Sequence, residues 1–538
     1  MPDDLHPSSG SRPAHHAALI LLQAGALASV VAALPYQLFD LDRHSVPKEL
    51  VLHLTAAAAA ALCLRASRRL VPTIPDLCLA GFLLLSTLSA LAASNWWLAF
   101  RALGLTLSSL LVFWSARAVT RAGFGRPLLR AFALAGVLGA VTGLLQAYGL
   151  WSALAAVNRA PGGTFGNRNF MAHYAALGLP LVVLAALEAR SRAGYLLCVL
   201  GTTLSGAALF LTRSRAAWLA LGASAAFLAI EGIWIGRLGA DRVVRRRLTG
   251  LGIGALAGIV AAVVLPNTLD WRSNSPYLDT LRNVADYRSG SGYGRLVQFR
   301  NTLRLTARHP LLGVGPGNWP VQYPDVTTAA DPSYDAAATM PTNPWPSSDW
   351  MALLSERGVA AFILLLLGGV TLVFPAWQRV RRGDRREALQ SLALIAMCIV
   401  VAVVGSFDVA LMLPAPALLF WGAAGALAPG GHALPRRAVG QAGIRRLATA
   451  VLAAGSLLAI RSGLQMAAMA VYTGQARVAV LERAARLDPG SYRIRMMLAG
   501  SWIARGRCDR GRVQAAAAAR LFPRTAAPRV LIRSCARR

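Results

Sequence analysis

Apolar runs long enough to cross a lipid bilayer recur along most of this chain, from Ala17 to about Tyr472. A helix needs about 20 apolar residues to cross the hydrocarbon core. Only 14% of the 538 residues are charged, against about 25% in soluble proteins. The pattern predicts an all-α polytopic membrane protein of about thirteen spans, at 17–38, 49–64, 76–94, 98–116, 129–150, 170–188, 194–212, 215–236, 248–266, 358–377, 388–406, 409–428 and 447–471.

Arginine residues gather in every second connection between these runs. With the N-terminus placed in the cytoplasm, the arginine-rich connections all fall inside, as the positive-inside rule requires. They are Arg65 to Arg69, Arg117 to Arg126, Arg190 to Arg192, Arg242 to Arg247, Arg379 to Arg386 and Arg436 to Arg446. The sequence therefore predicts a multi-pass protein of the bacterial inner membrane, with a cytoplasmic N-terminus and a periplasmic C-terminus.

The formal net charge of +32 does not indicate a nucleic-acid partner, because the basic residues separate apolar runs and do not line one soluble face. Cys63, Cys78, Cys198 and Cys398 fall inside apolar runs, where cysteine usually packs as a small apolar residue. No cysteine pair has metal-ligand spacing. We expect neither a bound metal nor a cofactor.

Two regions on the periplasmic side carry many arginines, a large loop at 267–357 and a tail at 473–538. Long segments are exported regardless of their charge, so these arginines need an explanation other than topology. We expect a membrane domain at 1–472, which includes the large loop, and a second domain formed by the tail.

Two short outside segments place arginines near helix starts. Residues 162–172 form a glycine-rich stretch with Arg168 and Asn169, where either free N–H groups receive an anion or the chain simply turns. Arg213 and Arg215 stand two residues apart at the next such junction. They either clamp a phosphate through paired N–H groups or anchor the helix at the lipid headgroups.

The large loop carries a third basic segment. Basic residues recur at intervals of four and five from Arg295 to Arg308, so a helix would set them along one side, as a ligand-binding or a solvated face. In and around this segment we expect substrate contacts from Arg288, Arg300, His309 and Asn318.

The loop ends at a fourth segment, where Pro346 and two serines precede a helix with Asp349 in its first turn. A carboxylate at this place can stabilise the helix dipole. It can also act as a general base. The residues leave both roles open.

Together these segments resemble the O-antigen ligase and polymerase superfamily of membrane glycosyltransferases. The likeness runs over about residues 75–430 and rests on four elements: G-T-F-G-N-R-N-F from Gly163 to Phe170, S-R-A-A-W from Ser214 to Trp218, R-H-P-L-L-G-V-G-P-G-N from Arg308 to Asn318, and the block that begins with S-F-D at Ser406 and runs to Gly425. The resemblance implies a GT-C-like fold and the inverting, metal-independent transfer of a glycan from an undecaprenyl-diphosphate carrier on the periplasmic face. The family's essential arginines would map to Arg215 and Arg295.

One position departs from the family pattern. Ser347 stands where the family has a histidine ahead of the helix that begins near Asp349. Asp349 could replace that histidine as general base, and His309 is a second candidate. We therefore expect Arg215, Arg295 and Asp349 to be catalytic, with an inactive glycan-assembly scaffold as an alternative.

The acceptor stays open between a lipid, a growing polysaccharide and a protein hydroxyl. A protein O-oligosaccharyltransferase of the same family is therefore one alternative function. A polysaccharide transporter is another, although transporters tend to show repeats between their halves and none is evident here.

The tail contains an internal repeat. R-A-A-R-L-D-P from Arg483 to Pro489 recurs 34 residues later as A-A-A-R-L-F-P from Ala517 to Pro523. This period is typical of tetratricopeptide (TPR) helices, so the tail either binds a partner or acceptor on a concave surface or caps the periplasmic mouth. Cys508 and Cys535 would enter an oxidising compartment, where we expect them to form a disulfide.

Overall fold

The computed structural model describes residues 12–35, 39, 42–150, 160–235, 241–271, 273, 275–282, 290–328, 330–430, 433–434, 437–472 and 477–535. Over these residues the regular structure is helical, apart from two single β-bridges. The helices of the bundle are α1 (Arg12–Val31), α2 (Asp42–Ala66), α3 (Ile74–Leu91), α4 (Trp96–Val119), α5 (Gly125–Ala147), α6 (Arg168–Leu187), α7 (Arg192–Thr212), α8 (Arg215–Ile235) and α9 (Arg242–Val264).

The large loop after α9 contains three α-helices: α10 (Pro276–Arg282), α11 (Gly290–Arg308) and α12 (Trp319–Gln322). The bundle then resumes with α13 (Asp349–Arg382), α14 (Arg385–Phe407), α15 (Pro414–Leu427) and α16 (Gln441–Val471). The tail has α17 (Val478–Leu487), α18 (Tyr492–Ala504), α19 (Cys508–Leu521) and α20 (Ala527–Ser534).

Ten helical stretches among the described residues are long and apolar enough to cross a membrane. This confirms an all-α polytopic membrane protein, whereas the number of thirteen spans stays a prediction. One of the ten stretches, Trp96–Ala147, is 52 residues long and contains two predicted spans. Gly123 interrupts it with φ of 93°, a backbone geometry that favours glycine, so α4 and α5 meet at a break.

Several ion pairs stabilise the arginine-rich end of the bundle. They join Arg117 to Asp76, Arg126 to Glu188 and Arg385 to Asp241. The large loop and the tail lie at the opposite end, where the sequence predicts the periplasm.

Helix α13 is broken near its start, and the large loop fills the break. Gly358 has φ of 80° and ψ of 169°, outside helical geometry. The N–H of Val314 donates to the carbonyl of Ser355 at 3.0 Å, and that of Val359 donates to the carbonyl of Pro310 at 2.9 Å. Broken helices are tolerated at membrane depth only where protein satisfies the freed backbone groups. The G-V-G-P-G stretch therefore has a structural role.

The tail packs on both the bundle and the large loop. Asn95, the residue that caps α4, donates from its side chain to the carbonyl of Leu521 at 3.0 Å. The Tyr492 hydroxyl donates to the carbonyl of Thr339 at 2.9 Å. Phe522 packs with Tyr492 and with Val321 of the loop in one buried cluster. The tail thus holds the segment that follows α11.

The tail contains both the predicted cysteine pair and the sequence repeat. Cys508 and Cys535 form a disulfide with Cα atoms 5.6 Å apart, which confirms their predicted pairing. The two copies of the sequence repeat occupy equivalent places, at the ends of α17 and α19. The TPR-like character of these helices stays a prediction.

Candidate functional site

The glycine-rich loop before α6 is a tightly anchored turn. The N–H groups of Gly162 and Gly163 both donate to the side-chain oxygen of Gln146, at 2.8 and 2.7 Å. The carbonyl of Thr164 contacts the imidazole of His44 at 3.0 Å. Asn167 caps α6 by accepting from the N–H of Asn169 at 3.0 Å. Since Gln146 already accepts the N–H groups of Gly162 and Gly163, these groups do not bind a ligand. The part of the loop that can contact a ligand is the start of α6.

The turn between α14 and α15 meets that helix start. The side-chain amide of Asn169 donates to the carboxylate of Asp408 at 3.1 Å. One turn further along α6, Nδ1 of the buried His173 lies 3.3 Å from the carbonyl of Val409. A carbonyl only accepts, so Nδ1 must carry the hydrogen. Asp408 itself is partly exposed, and its carboxylate can therefore reach a ligand.

Asp349 is fully buried beside the same turn. Its carboxylate accepts backbone N–H groups from Ala410 at 2.9 Å, Leu411 at 3.0 Å and Met412 at 3.3 Å. The helix cap is Ser348, whose hydroxyl accepts from the N–H of Met351. Asp349 thus lies in the first turn of α13, as predicted, but it holds the α14–α15 turn in place.

Helix α11 approaches from the large loop. The side-chain oxygen of Gln298 accepts from the N–H of Ser347 at 2.7 Å, which fixes α11 against the start of α13. Half-buried Arg295 lies almost one turn earlier on the same helix. The contact at Gln298 therefore brings the helix that carries Arg295 to the start of α13, beside the turn that carries Asp408.

The predicted basic stripe on α11 is wrong in one respect. Arg300, Arg304 and Arg308 are exposed, whereas Arg295 is half-buried. Arg295 and Arg304 lie about 180° apart around a helix of 3.6 residues per turn, so they cannot share a side. The helix itself forms as expected, but Arg295 faces the bundle and the other three face outward.

A second group of arginines lies where α6, α7 and α8 end or begin. The guanidinium carbons of Arg168 and Arg213 lie 5.2 and 4.8 Å from the centre of the Trp271 ring. Nε of Arg213 donates to the hydroxyl of Thr280 at 2.7 Å. Burial lowers the pKa of Arg213, and the nearby carboxylate of Asp279 opposes that shift. Two residues on, half-buried Arg215 begins α8.

Three residues expected to contact substrate lie neither beside Asp408 nor beside Trp271. Arg300 and His309 are exposed on α11 and at its end. Asn318 is fully buried, accepting from the N–H of Asn95 at 2.7 Å and donating to its carbonyl at 3.0 Å. Arg288 lies outside the described residues. We therefore assign Asn318 a structural role.

Three residues of the site were not singled out by sequence reasoning. Asp408 belongs to the S-F-D block, where a carboxylate between two predicted spans was an available signal. His173 is four positions after Asn169 and so lies on the same face of α6. Trp271 gave no local signal in the sequence.

An apolar groove of about 620 Å³ begins next to this site. It is lined by Trp350 and Leu411 at one end and by Phe374 and Trp377 at the other. The unbroken part of α13 that lines this groove, from Val359 to Trp377, is about 27 Å long at 1.5 Å per residue, close to the thickness of the hydrocarbon core. Among the described residues, no cluster of three His, Cys, Asp or Glu side chains is arranged to hold a metal ion.

Residues 200–366 match the family model described as O-antigen ligase. The matched segment includes Arg213, Arg215, Arg295 and Asp349. No curated protein matches the chain. The match confirms the resemblance to the O-antigen ligase family. It supports a ligase- or polymerase-type role in glycan assembly, with a lipid-linked glycan as the substrate class, for this multi-pass membrane protein.

Proposed function

We propose that this protein transfers a glycan from an undecaprenyl-diphosphate carrier to an acceptor hydroxyl at the periplasmic end of its bundle. The observation that carries this proposal is the arrangement in which Asn169 contacts Asp408 and Gln298 fixes the helix of Arg295 against the start of α13. It brings a reachable carboxylate and a guanidinium to the same end of the bundle as Arg168, Arg213 and Arg215.

The transfer is a single displacement at the anomeric carbon of the donor sugar. A carboxylate removes the proton from the acceptor hydroxyl, and the acceptor oxygen forms the new bond to that carbon. The bond between the carbon and the diphosphate oxygen breaks, and undecaprenyl diphosphate leaves with the electron pair. Attack opposite the leaving group inverts the configuration.

Arginines suit this chemistry because the leaving group gains negative charge as the bond breaks. Preorganised guanidinium groups stabilise that charge and bind phosphate oxygens with two N–H groups at once. We assign transition-state stabilisation to Arg215 and Arg295. Arg168 and Arg213 bind the diphosphate.

Asp408 is a better general base than Asp349 in this arrangement. The Asp349 carboxylate accepts three backbone N–H groups and is fully buried, so it has no access to an acceptor. Asp408 is partly exposed, and Asn169 orients its carboxylate. A base must lie within hydrogen-bond reach of the proton it removes. Asp349 then serves as a positioning residue for the turn that carries Asp408.

The apolar groove supplies a place for the polyprenyl chain. Its upper end is formed by Leu411, whose N–H binds Asp349, and by Trp350. A carrier lying along α13 would thus have its diphosphate near the site and its chain in an apolar environment.

The experiment is a transfer assay with the purified full-length protein in nanodiscs, undecaprenyl-diphosphate-linked glycan, and candidate acceptors offered separately. We expect Arg215→Ala and Arg295→Ala to lower kcat at least 100-fold, as removal of one preorganised donor does elsewhere. Arg304→Ala is the matched control, because this arginine is exposed on the other side of α11.

In cells, lipid-linked glycan should accumulate when the gene is deleted. Of the three variants, only Arg304→Ala should restore transfer. Full activity of both site variants would refute the assignment of the arginines. Absence of transfer to lipid, polysaccharide and protein acceptors by the wild type, with no accumulation on deletion, would favour an inactive scaffold.

A further inference from the structure

Trp271 brings together arginines that the sequence places in two separate motifs. Arg168 starts α6 and Arg213 lies between α7 and α8, yet their guanidinium groups lie 5.2 and 4.8 Å from the centre of one indole ring. Guanidinium groups are attracted to an indole face within about 6 Å of its centre. Since both distances are to the same ring centre, the two guanidinium carbons are at most about 10 Å apart.

The segment that carries Trp271 is fastened to the bundle. The N–H and the hydroxyl of Thr268 both donate to the carbonyl of Ala147 at the end of α5, at 2.8 and 3.0 Å. Leu269 packs against a buried cluster that includes Ala147 and Leu211. The ring therefore emerges two residues later from a fixed point beside the ends of α5 and α7.

Arg213 has an unusual backbone conformation, and a hydrogen bond holds its side chain. Its backbone has φ of 54°, a left-handed conformation that is uncommon for residues other than glycine. Among the described residues, its side-chain hydrogen bond runs from Nε to Thr280, which leaves the two terminal nitrogens to bind an anion. Asp279 is the nearby acidic group, and it accepts from the hydroxyl of Ser273.

We propose that Trp271 is a positioning residue that sets Arg168 and Arg213 as a clamp selective for a diphosphate over a monophosphate. This inference rests on the proposed function, which supplies the lipid diphosphate. Two like charges close together repel each other unless an anion lies between them. A diphosphate offers each guanidinium its own phosphate group, whereas a monophosphate can satisfy only one of them well.

The test measures inhibitor binding and transfer in the full-length protein in nanodiscs. Farnesyl diphosphate and farnesyl monophosphate are the probes, and Trp271→Leu, Trp271→Phe and the wild type are compared. Binding by thermal shift does not depend on activity. The matched control is Trp96→Leu, since Trp96 is 55% exposed at the same end of the bundle.

We expect Trp271→Leu to weaken farnesyl diphosphate binding about tenfold and to leave monophosphate binding unchanged, because both ring contacts are lost. The KM for the lipid-linked glycan should rise by the same factor with kcat within twofold of wild type. Trp271→Phe keeps an aromatic face and should recover about half of the lost diphosphate affinity on a logarithmic scale. Trp96→Leu should bind both probes as the wild type does.

Equal weakening of both probes, or wild-type affinity for both in Trp271→Leu, would overturn the positioning role. A fall in kcat with an unchanged KM would overturn it too. If the wild type binds farnesyl diphosphate selectively through Trp271 but transfers no glycan, the proposed function fails while the diphosphate clamp stands.

Discussion

The side-chain amide of Asn169 donates to the carboxylate of Asp408 at 3.1 Å and joins the start of α6 to the turn after α14. This contact gives the candidate base a fixed orientation. Asp408→Asn keeps an acceptor for Asn169 but cannot take a proton, so we expect kcat to fall 10²- to 10⁴-fold, the usual range for loss of general-base catalysis. The measurement is single-turnover transfer with saturating donor.

Asn169→Ala removes only the orientation of that carboxylate. We expect a fall in kcat of about tenfold, since positioning contributes less than the proton transfer itself. Wild-type kcat in Asp408→Asn would show that another group accepts the proton.

Asp349 provides the second prediction, which separates a positioning role from a catalytic one. Asp349→Ala leaves three backbone N–H groups of the α14–α15 turn without their acceptor. Each unsatisfied buried donor costs about 1–3 kcal/mol, so we expect the free energy of unfolding to fall by about 3 kcal/mol, allowing for relaxation of the turn. The measurement is reversible unfolding in mixed micelles.

The control for Asp349 is Asp408→Asn, which should lose activity with little change in stability. If Asp349→Ala abolished transfer and left the free energy of unfolding at the wild-type value, Asp349 would be the base after all.

The sequence predicted the parts of this site that depend on one helix at a time. Periodic apolar runs placed the start of α6 beside Asn169, and the serines before Asp349 indicated a helix start. The contact between Asn169 and Asp408 joins residues 239 positions apart, and it depends on how α6 and α14 pack. No local pattern encodes that packing, so the partner of Asn169 could not be predicted.

The same reason explains the misread role of Asp349. The Asp349 carboxylate accepts N–H groups from residues 61 to 63 positions further along the chain. Only the fold of the α14–α15 turn brings these N–H groups near Asp349. The error for Arg295 has another cause, since 100° per residue already places Arg304 on the opposite side of the helix. What the sequence does not give is the contact between Gln298 and Ser347, on the side of α11 that meets α13.

Glu356 and Arg357 provide the third prediction. Both are almost fully buried beside the break in α13, with Nη1 of Arg357 3.6 Å from a Glu356 carboxylate oxygen and Nη2 donating to Thr106 at 2.8 Å. Removing one partner of a buried pair costs about 3–5 kcal/mol because it leaves the other charge uncompensated. Arg357→Met should therefore lower the free energy of unfolding by about 3 kcal/mol or more.

The double variant Glu356→Gln with Arg357→Met should recover at least half of that loss, since no unpaired charge remains. Arg382→Met, at the exposed end of the same helix, should change stability by less than about 0.5 kcal/mol. Additive losses in the double variant would mean that the two side chains do not act as a pair.

The fourth prediction concerns pH. Asp331 of the large loop is buried, which raises its pKa, but hydrogen bonds from Thr327, Tyr323 and Ser333 prevail, so the pKa of Asp331 is lowered overall. A lowered native pKa stabilises the loop above the unfolded value of about 4. This stabilisation is lost as the pH falls through the native pKa.

Hydrogen exchange of residues 319–335, corrected for the intrinsic rate, should therefore show constant protection from pH 7 to about pH 5 and loss of protection below about pH 4. Asp331→Asn should show weaker protection than the wild type above about pH 5 and no such step. A step of equal size in the variant would assign the pH dependence to another carboxylate.

The fifth prediction tests the orientation of the whole chain through Cys508 and Cys535. Disulfides persist in the periplasm and are rare in the cytoplasm, so this bond reports the compartment of the tail. In a variant in which Cys63, Cys78, Cys198 and Cys398 are replaced by serine, cells are acid-quenched, denatured and treated with a polyethylene-glycol maleimide. We expect no mobility shift without reductant and a shift by two labels after reduction.

The control for the fifth prediction is a strain without the periplasmic thiol oxidase, where both thiols should label without reductant. If the same variant carried two labels before reduction in cells that have the oxidase, the tail would lie in the cytoplasm. The Asp408 cluster would then face the wrong compartment for transfer in the periplasm, because the tail and the large loop pack together through Tyr492 and Thr339 at one end of the bundle. The labelling result therefore decides the topology on which the proposed function depends.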